Sequence, residues 1–168
     1  MIRPALVLLA LATVIGGLLW PLALLPFGQP LAADAVFADA REPQLFWGRP
    51  TTATPLASSG SNLGPTNPAW LETVRARATE LRAAHPSRAE PVPAELVTIS
   101  ASGLDPHVSP AGARYQVDRV AAARHVDPAA LEVLIERLTE PRLLGIFGEP
   151  RVNVRRLNAA LAQVPTLP

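Results

Sequence analysis

The chain opens on a block that carries no charge between Arg3 and Asp34, and residues 5–25 are almost wholly apolar. As a helix rising 1.5 Å per residue, that run spans roughly 31 Å, close to the hydrocarbon thickness of a bilayer. Gly16-Gly17 and Pro21 would weaken a soluble helix but are tolerated in a membrane helix. Trp20 and Phe27 fall near the distal end, where aromatic rings favour the interface, and Pro26 and Pro30 end the run. Ala33-Asp34-Ala35 and Ala38-Asp39-Ala40 have the small-x-small form of a signal cleavage site. The apolar run is longer than a signal core of about 7–15 residues, so the pattern favours an anchor. No second run of this length follows, so the chain is expected to cross once and cannot form a transport pathway alone.

After the span the pattern changes character. Residues 28–66 are rich in Pro, Ala, Ser, Thr and Gly, with one short strand expected at Gln44-Leu45-Phe46-Trp47 and turns over 51–66. Asn67-Pro68 reads as an N-cap with proline at the first helical position. Trp70, Val74, Ala78 and Leu81 then recur at helical spacing until His85-Pro86. Leu96-Val97-Thr98-Ile99 is short, β-branched and bounded by turn residues, and reads as a strand. Ser109-Pro110 opens a second helix carrying Ala113, Val117, Val120 and Ala121, and Asp127-Pro128 opens a third with Leu131, Leu134, Ile135 and Leu138. A last helix is expected over 152–164, where Val154, Leu157 and Leu161 align. These signals predict an α+β fold: a single N-terminal transmembrane helix (1–28), linker and motif loops (29–66), then a mostly helical extracytoplasmic domain with a small sheet (67–168).

Composition alters this picture in two places. The 49% hydrophobic content overstates the core, because part of it is the span. Few aromatics lie outside the span, so the core must be mostly Leu, Val and Ala. All fifteen cationic side chains are arginine, and there is no cysteine. Without cysteine there are no disulfides, thiolate metal sites or cysteine nucleophiles. Without lysine there is no P-loop, no Schiff base and no Asp-Lys-Thr-Gly-Thr phosphorylation sequence of P-type pumps. A net charge of +1 argues against nucleic acid as a partner. The N-terminal amine and Arg3 flank one end of the span, and Asp34 and Asp39 flank the other. The positive-inside rule therefore puts the N-terminus in the cytoplasm and the bulk of the chain outside.

Candidate chemistry is sparse. Asp105 and His107, with His85 or His125, could ligate a metal, but the spacing is unspecific and a turn capped by Asp105 is the plainer reading. No metal is therefore assigned. Ser100 or Ser102 with His107 could form part of a hydrolase, yet no G-x-S-x-G elbow is present, and serines around Gly103 commonly fix a turn. Ser61 and Asn62, between Gly60 and Gly64, could form an anion nest. Arg49 could stack on Trp47 or meet a partner carboxylate. Arg75, Arg77, Arg82 and Arg88 read as a solvated face.

The loops nevertheless form a recognisable series. It runs Phe46-Trp47-Gly48-Arg49-Pro50, then Ser58-Ser59-Gly60-Ser61-Asn62-Leu63-Gly64-Pro65-Thr66-Asn67-Pro68, then Val92-Pro93-Ala94-Glu95-Leu96-Val97-Thr98. Ser100-Ala101-Ser102-Gly103-Leu104-Asp105-Pro106-His107-Val108-Ser109-Pro110 follows, with Arg119-Val120-Ala121, Gly148-Glu149-Pro150-Arg151-Val152-Asn153-Val154 and Leu157-Asn158. In this order the series resembles the C subunit of the Kdp-type potassium-transporting P-type ATPase over nearly the whole chain.

The resemblance implies an accessory, non-catalytic subunit of a high-affinity ATP-driven potassium uptake complex in the plasma (inner) membrane. Its partners there are a channel-like potassium-binding subunit, a P-type ATPase subunit carrying the phosphorylated aspartate, and membrane lipid. The family role is assembly and support of ATP use by the catalytic subunit, with no tightly bound cofactor and ATP reached through that subunit. The glutamine matching Gln116 has been associated with nucleotide, although the topology expected here puts Gln116 outside the cytoplasm. Trp47, Gly48, Arg49, Pro50, Ser61, Asn62, Ser102 and Asp105 are the expected partner-binding positions. The chain departs from the family in a shortened stretch before Phe46, a short loop after Pro50 lacking the usual Tyr-Asn, and Ser59 in place of glycine. Less sheet than usual is therefore expected. The alternatives from other classes are a membrane-anchored extracytoplasmic hydrolase using Ser102 and His107, and a secreted binding module.

Overall fold

The computed structural model describes residues 2–25, 41–51 and 58–167, which fall into two units, one N-terminal and one holding everything from residue 41 onward. Pro26, Phe27, Pro30, the small-residue pairs around Asp34 and Asp39, and residues 52–57 of the turn-rich stretch lie outside the described residues. The N-terminal unit is one helix, Ile2–Leu24, of 23 residues, long and apolar enough to cross a membrane. It has three parts: α1 (Ile2–Val14), a π-helical turn at Ile15–Leu19, and α2 (Trp20–Leu24). The wide turn holds Gly16-Gly17 and lies just before Pro21, which has no N–H and whose ring would crowd the carbonyl four residues back.

The second unit is mostly helical around a small sheet. Helix α3 (Pro68–Ala84) starts where the Asn67 side chain accepts from the Ala69 N–H at 2.9 Å. The strand expected over 96–99 is not there: residues Ala94–Val97 form a short helix, α4. Pro93 presets its entry, the Thr98 N–H returns to the Ala94 carbonyl at 3.0 Å, and Leu96 and Val97 are buried from one turn. Strand β1 (His107–Val108) leads to Ser109, whose hydroxyl accepts from the Gly112 N–H and caps α5 (Pro110–Arg114).

The single helix expected after Ser109 is two, α5 and α6 (Val117–Arg124). The Gln116 side chain donates to the Gly112 carbonyl at 3.1 Å, taking the acceptor its own backbone N–H would use in a continuous helix. That N–H turns to Ala113 instead, at 3.0 Å. A left-handed His125 (φ 54°) ends α6, and both its N–H and that of Val126 return to the Ala121 carbonyl. Asp127 caps α7 (Pro128–Leu138).

Strands β2 (Thr139–Glu140) and β3 (Arg151–Asn153) complete an antiparallel sheet of order β1-β3-β2, with Val152 central and opposite both Val108 and Thr139. The last helix, α8 (Val154–Leu161), therefore starts two residues later than the apolar spacing suggests, because Val152 is spent in the sheet. Leu131, Ile135, Val152, Leu157 and Leu161 are fully buried at the centre. The core is aliphatic as expected, with Phe46 and Trp47 added from the segment before residue 50.

Candidate functional site

The Phe46-Trp47 pair is held by two side-chain amides. Asn158, on α8, accepts from the Phe46 N–H at 2.8 Å and donates back to its carbonyl at 2.9 Å. Gln116, at the α5–α6 break, does the same to Trp47, at 2.7 and 3.0 Å. Each amide offers one donor and one acceptor side by side, as a neighbouring strand would. Residues 44–47 are therefore not the strand the sequence suggested: Pro43-Gln44 turn, and carboxamides take the place of strand pairing.

Gln116 is 0% exposed and its carboxamide is saturated. Its two N–H groups go to the Trp47 and Gly112 carbonyls, and its oxygen accepts from the Trp47 N–H and from Arg119 Nη2 at 2.9 Å. Arg119 in turn places its fork on the carbonyls of Glu42, Pro43 and Leu45 and donates from Nε to His85 Nε2 at 3.0 Å. Its guanidinium lies 4.0 Å from the Trp47 ring centre, and that of Arg41 lies 5.4 Å away. These two, not Arg49, stack on the tryptophan. Burial lowers the Arg119 pKa to about 10, which leaves it charged near neutrality.

His85 is buried between the Trp47 and Tyr115 rings. Its Nδ1 lies 2.7 Å from the Leu81 carbonyl, so that nitrogen carries the proton and Nε2 accepts from Arg119. Burial, with Arg119 and Arg88 nearby, holds its pKa below the ordinary value, against the opposing pull of the Leu81 hydrogen bond and Asp118. The geometry selects a neutral imidazole.

A second cluster joins three loops. Arg49 Nη1 lies 3.5 Å from Asp105 Oδ2, and Asp105 Oδ1 accepts from the His107 N–H at 3.1 Å and faces its Nδ1 at 2.9 Å. Thr51 donates to the Gly103 carbonyl and Ser58 to that of Ser102. Gly60 packs so closely that a Cβ there would fall 3.0 Å from the Ala101 carbonyl oxygen. Asn62 is left-handed (φ 54°), and the Ser61 hydroxyl accepts from the Leu63 N–H. Ser61, Leu63, Trp70, Val74, Arg77 and Ile99 line a groove of about 290 Å³. Pro50 is buried and Gly48 and Arg49 are partly buried, whereas Ser102 and Asn62 reach solvent.

The hydrolase parts are not assembled. The Ser102 hydroxyl accepts from the Leu104 N–H, and His107 Nε2 faces Asn153 Nδ2 at 3.5 Å. Among the described residues no three His, Asp or Glu side chains gather as a metal site would need. Sequence reasoning missed the roles of Arg119 and Asn158, and offered His85 only as a helix stop and a metal ligand. The signals available were weak: a lone His beside a proline, and an Arg and an Asn within the motif series.

Comparison with known proteins adds a family. A family model described as "K+-transporting ATPase, c chain" matches residues 2–163. A potassium-transporting ATPase KdpC subunit of Sorangium cellulosum is 48% identical, the match covering 95% of this chain and 96% of that protein. Those of Dechloromonas aromatica and Herpetosiphon aurantiacus are 44% and 43% identical, each match covering 98% of this chain and 97% of the relative.

Proposed function

The chain belongs to the family of K+-transporting ATPase c chains, and from that membership we propose that it is an accessory subunit that supports assembly of the complex and ATP use by another subunit. It supplies no phosphorylated aspartate, since the Asp-Lys-Thr-Gly-Thr sequence is absent and no lysine is present to build one. Its partners are the channel-like and P-type subunits of the same transporter. The N-terminus lies in the cytoplasm and the folded domain outside, with Arg49, Ser61, Asn62, Ser102 and Asp105 on the loops that meet a partner.

The observation that carries this reading is the saturated carboxamide of Gln116. With both donors and both acceptor positions engaged inside the fold, it has no free hydrogen-bonding position for a nucleotide. Gln116 acts on the complex by holding Trp47 and the loop that follows it. ATP reaches the machine through the P-type subunit.

Photoaffinity labelling of the purified complex with an azido-ATP tests this. The label is expected on the P-type subunit and not on this chain. Labelling of this chain that disappears in a folded Gln116→Ala variant would overturn the proposal. In the same preparation, omitting this chain is expected to lower recovery of the other subunits together and to raise the KM for ATP of what remains.

A further inference from the structure

Between β2 and β3 the chain builds a narrow projection, residues 141–150. On it Leu143, Leu144, Ile146 and Phe147 are 70, 81, 73 and 63% exposed. The four side chains form an apolar patch on the order of 500 Å², at the upper end of what a monomer leaves in water.

The projection has a defined internal structure. The N–H groups of Leu143 and Phe147 bond to each other's carbonyls at 2.9 and 3.0 Å, Ile146 donates to Leu143 at 3.2 Å, and Gly145 donates to Arg142 at 3.0 Å. Leu144 adopts φ 54°, a left-handed conformation that a leucine disfavours, and Gly145 and Gly148 follow at 74° and 79°. Arg142 and Glu149 pair across the neck. With these N–H groups satisfied internally, the tip can be taken out of water without orphaning them. Its shape is fixed in advance, so covering it loses little chain entropy.

We propose that this tip is a docking knob that seats in an apolar socket, rimmed by carboxylate, on another subunit of the same ATPase. The proposal rests on the reading of the chain as a subunit of that complex. The charge around the knob indicates the rim. Glu140 is shared by Arg151 at 3.0 Å and Arg156 at 3.1 Å, and Glu149 is taken by Arg142, so three arginines face two carboxylates. The surplus cation favours an acidic rim and opposes a second copy of this chain, which would bring the same surplus. The tip has neither Trp nor Tyr, the residues enriched at a bilayer surface, and the Glu149 carboxylate stands at its neck, paired with Arg142.

The test uses the tagged full chain extracted with its complex. Leu144→Glu and Ile146→Glu, each at an exposed position, are expected to melt as the wild type does and to lower recovery of the other subunits tenfold or more. Arg75→Ala on α3 is expected to leave recovery unchanged. Wild-type recovery together with undiminished recovery by both variants overturns the knob. Failure of the wild type itself to recover any ATPase subunit overturns the subunit reading, and the knob with it. A photo-crosslinking residue at position 146 gives an answer independent of folding differences. An adduct with another ATPase subunit supports the knob, and adducts only with lipid or with a second copy overturn it.

Discussion

Arg119 has five N–H donors, and His85, Gln116 and the carbonyls of Glu42, Pro43 and Leu45 take them all. A lysine has three donors and no planar fork, so the arginine is required here by geometry as well as charge. The hydrogen bond to His85 makes the arrangement sensitive to acid. Protonated His85 would turn an N–H toward the Arg119 Nε–H and lose its acceptor. Since burial places the folded pKa of His85 below the unfolded value of about 6.5, the folded chain binds fewer protons than the unfolded chain below that pH. The stabilisation is full above pH 6.5 and is lost as pH falls toward the folded pKa. Thermal melting of the full chain between pH 7.5 and 5.5 should therefore fall more steeply for the wild type than for His85→Gln, the carboxylate background being common to both. Parallel profiles would show that His85 does not titrate in this window.

Asn153 joins two elements, as the last residue of β3 and the cap of α8. Its Oδ1 accepts from the N–H groups of Arg155 and Arg156 at 3.1 and 3.2 Å. Asn153→Ala should cost about 1 kcal/mol in urea unfolding, whereas Asn153→Asp, which keeps the acceptor and favours the helix dipole, should stay near the wild type. Equal losses would place the effect in the strand contact with His107 instead. Caps of this kind made the helices readable in advance: Asn67-Pro68, Ser109-Pro110 and Asp127-Pro128 each begin a helix, because a cap acts within three residues. The sheet was not readable, since strands of two or three residues leave no alternation and exist through pairing with distant segments. Nor could local pattern anticipate that Gln116 would grip Trp47 across 69 positions, replacing the strand expected there and splitting a helix in two. The loop series named segments that the fold brings together, but could not separate residues turned inward, such as Trp47 and Pro50, from those left at the surface. The exposed tip did have a local signal. Leu143-Leu144-Gly145-Ile146-Phe147 between Pro141 and Pro150 is too short for an element, so a turn there leaves its apolar side chains outside.

For the whole molecule the decisive question is which side of the membrane the domain occupies, because that fixes which partners it can touch. The span itself is symmetric in this respect: its apolar run carries no direction, and only the charges at its ends do. At one end stands Arg3, and past the other stand Asp34 and Asp39. Arg41, the next cation, is paired with Glu80 at 3.2 Å inside the folded domain. The charge difference favours a cytoplasmic N-terminus. The absence of cysteine makes a direct measurement available, since any introduced thiol is the only one in the chain. Ala83→Cys, at an exposed position on α3, should react with a membrane-impermeant maleimide in intact spheroplasts, and Ile2→Cys should react only after lysis. The reverse pattern would place the domain on the nucleotide side of the membrane. Gln116 would then share a compartment with ATP, and the saturated carboxamide would be the only remaining argument against contact. With the expected pattern, geometry and topology agree independently: Gln116 has neither the free hydrogen-bonding positions nor the location to bind nucleotide, and any influence on ATP use would have to pass through the loops it holds in place.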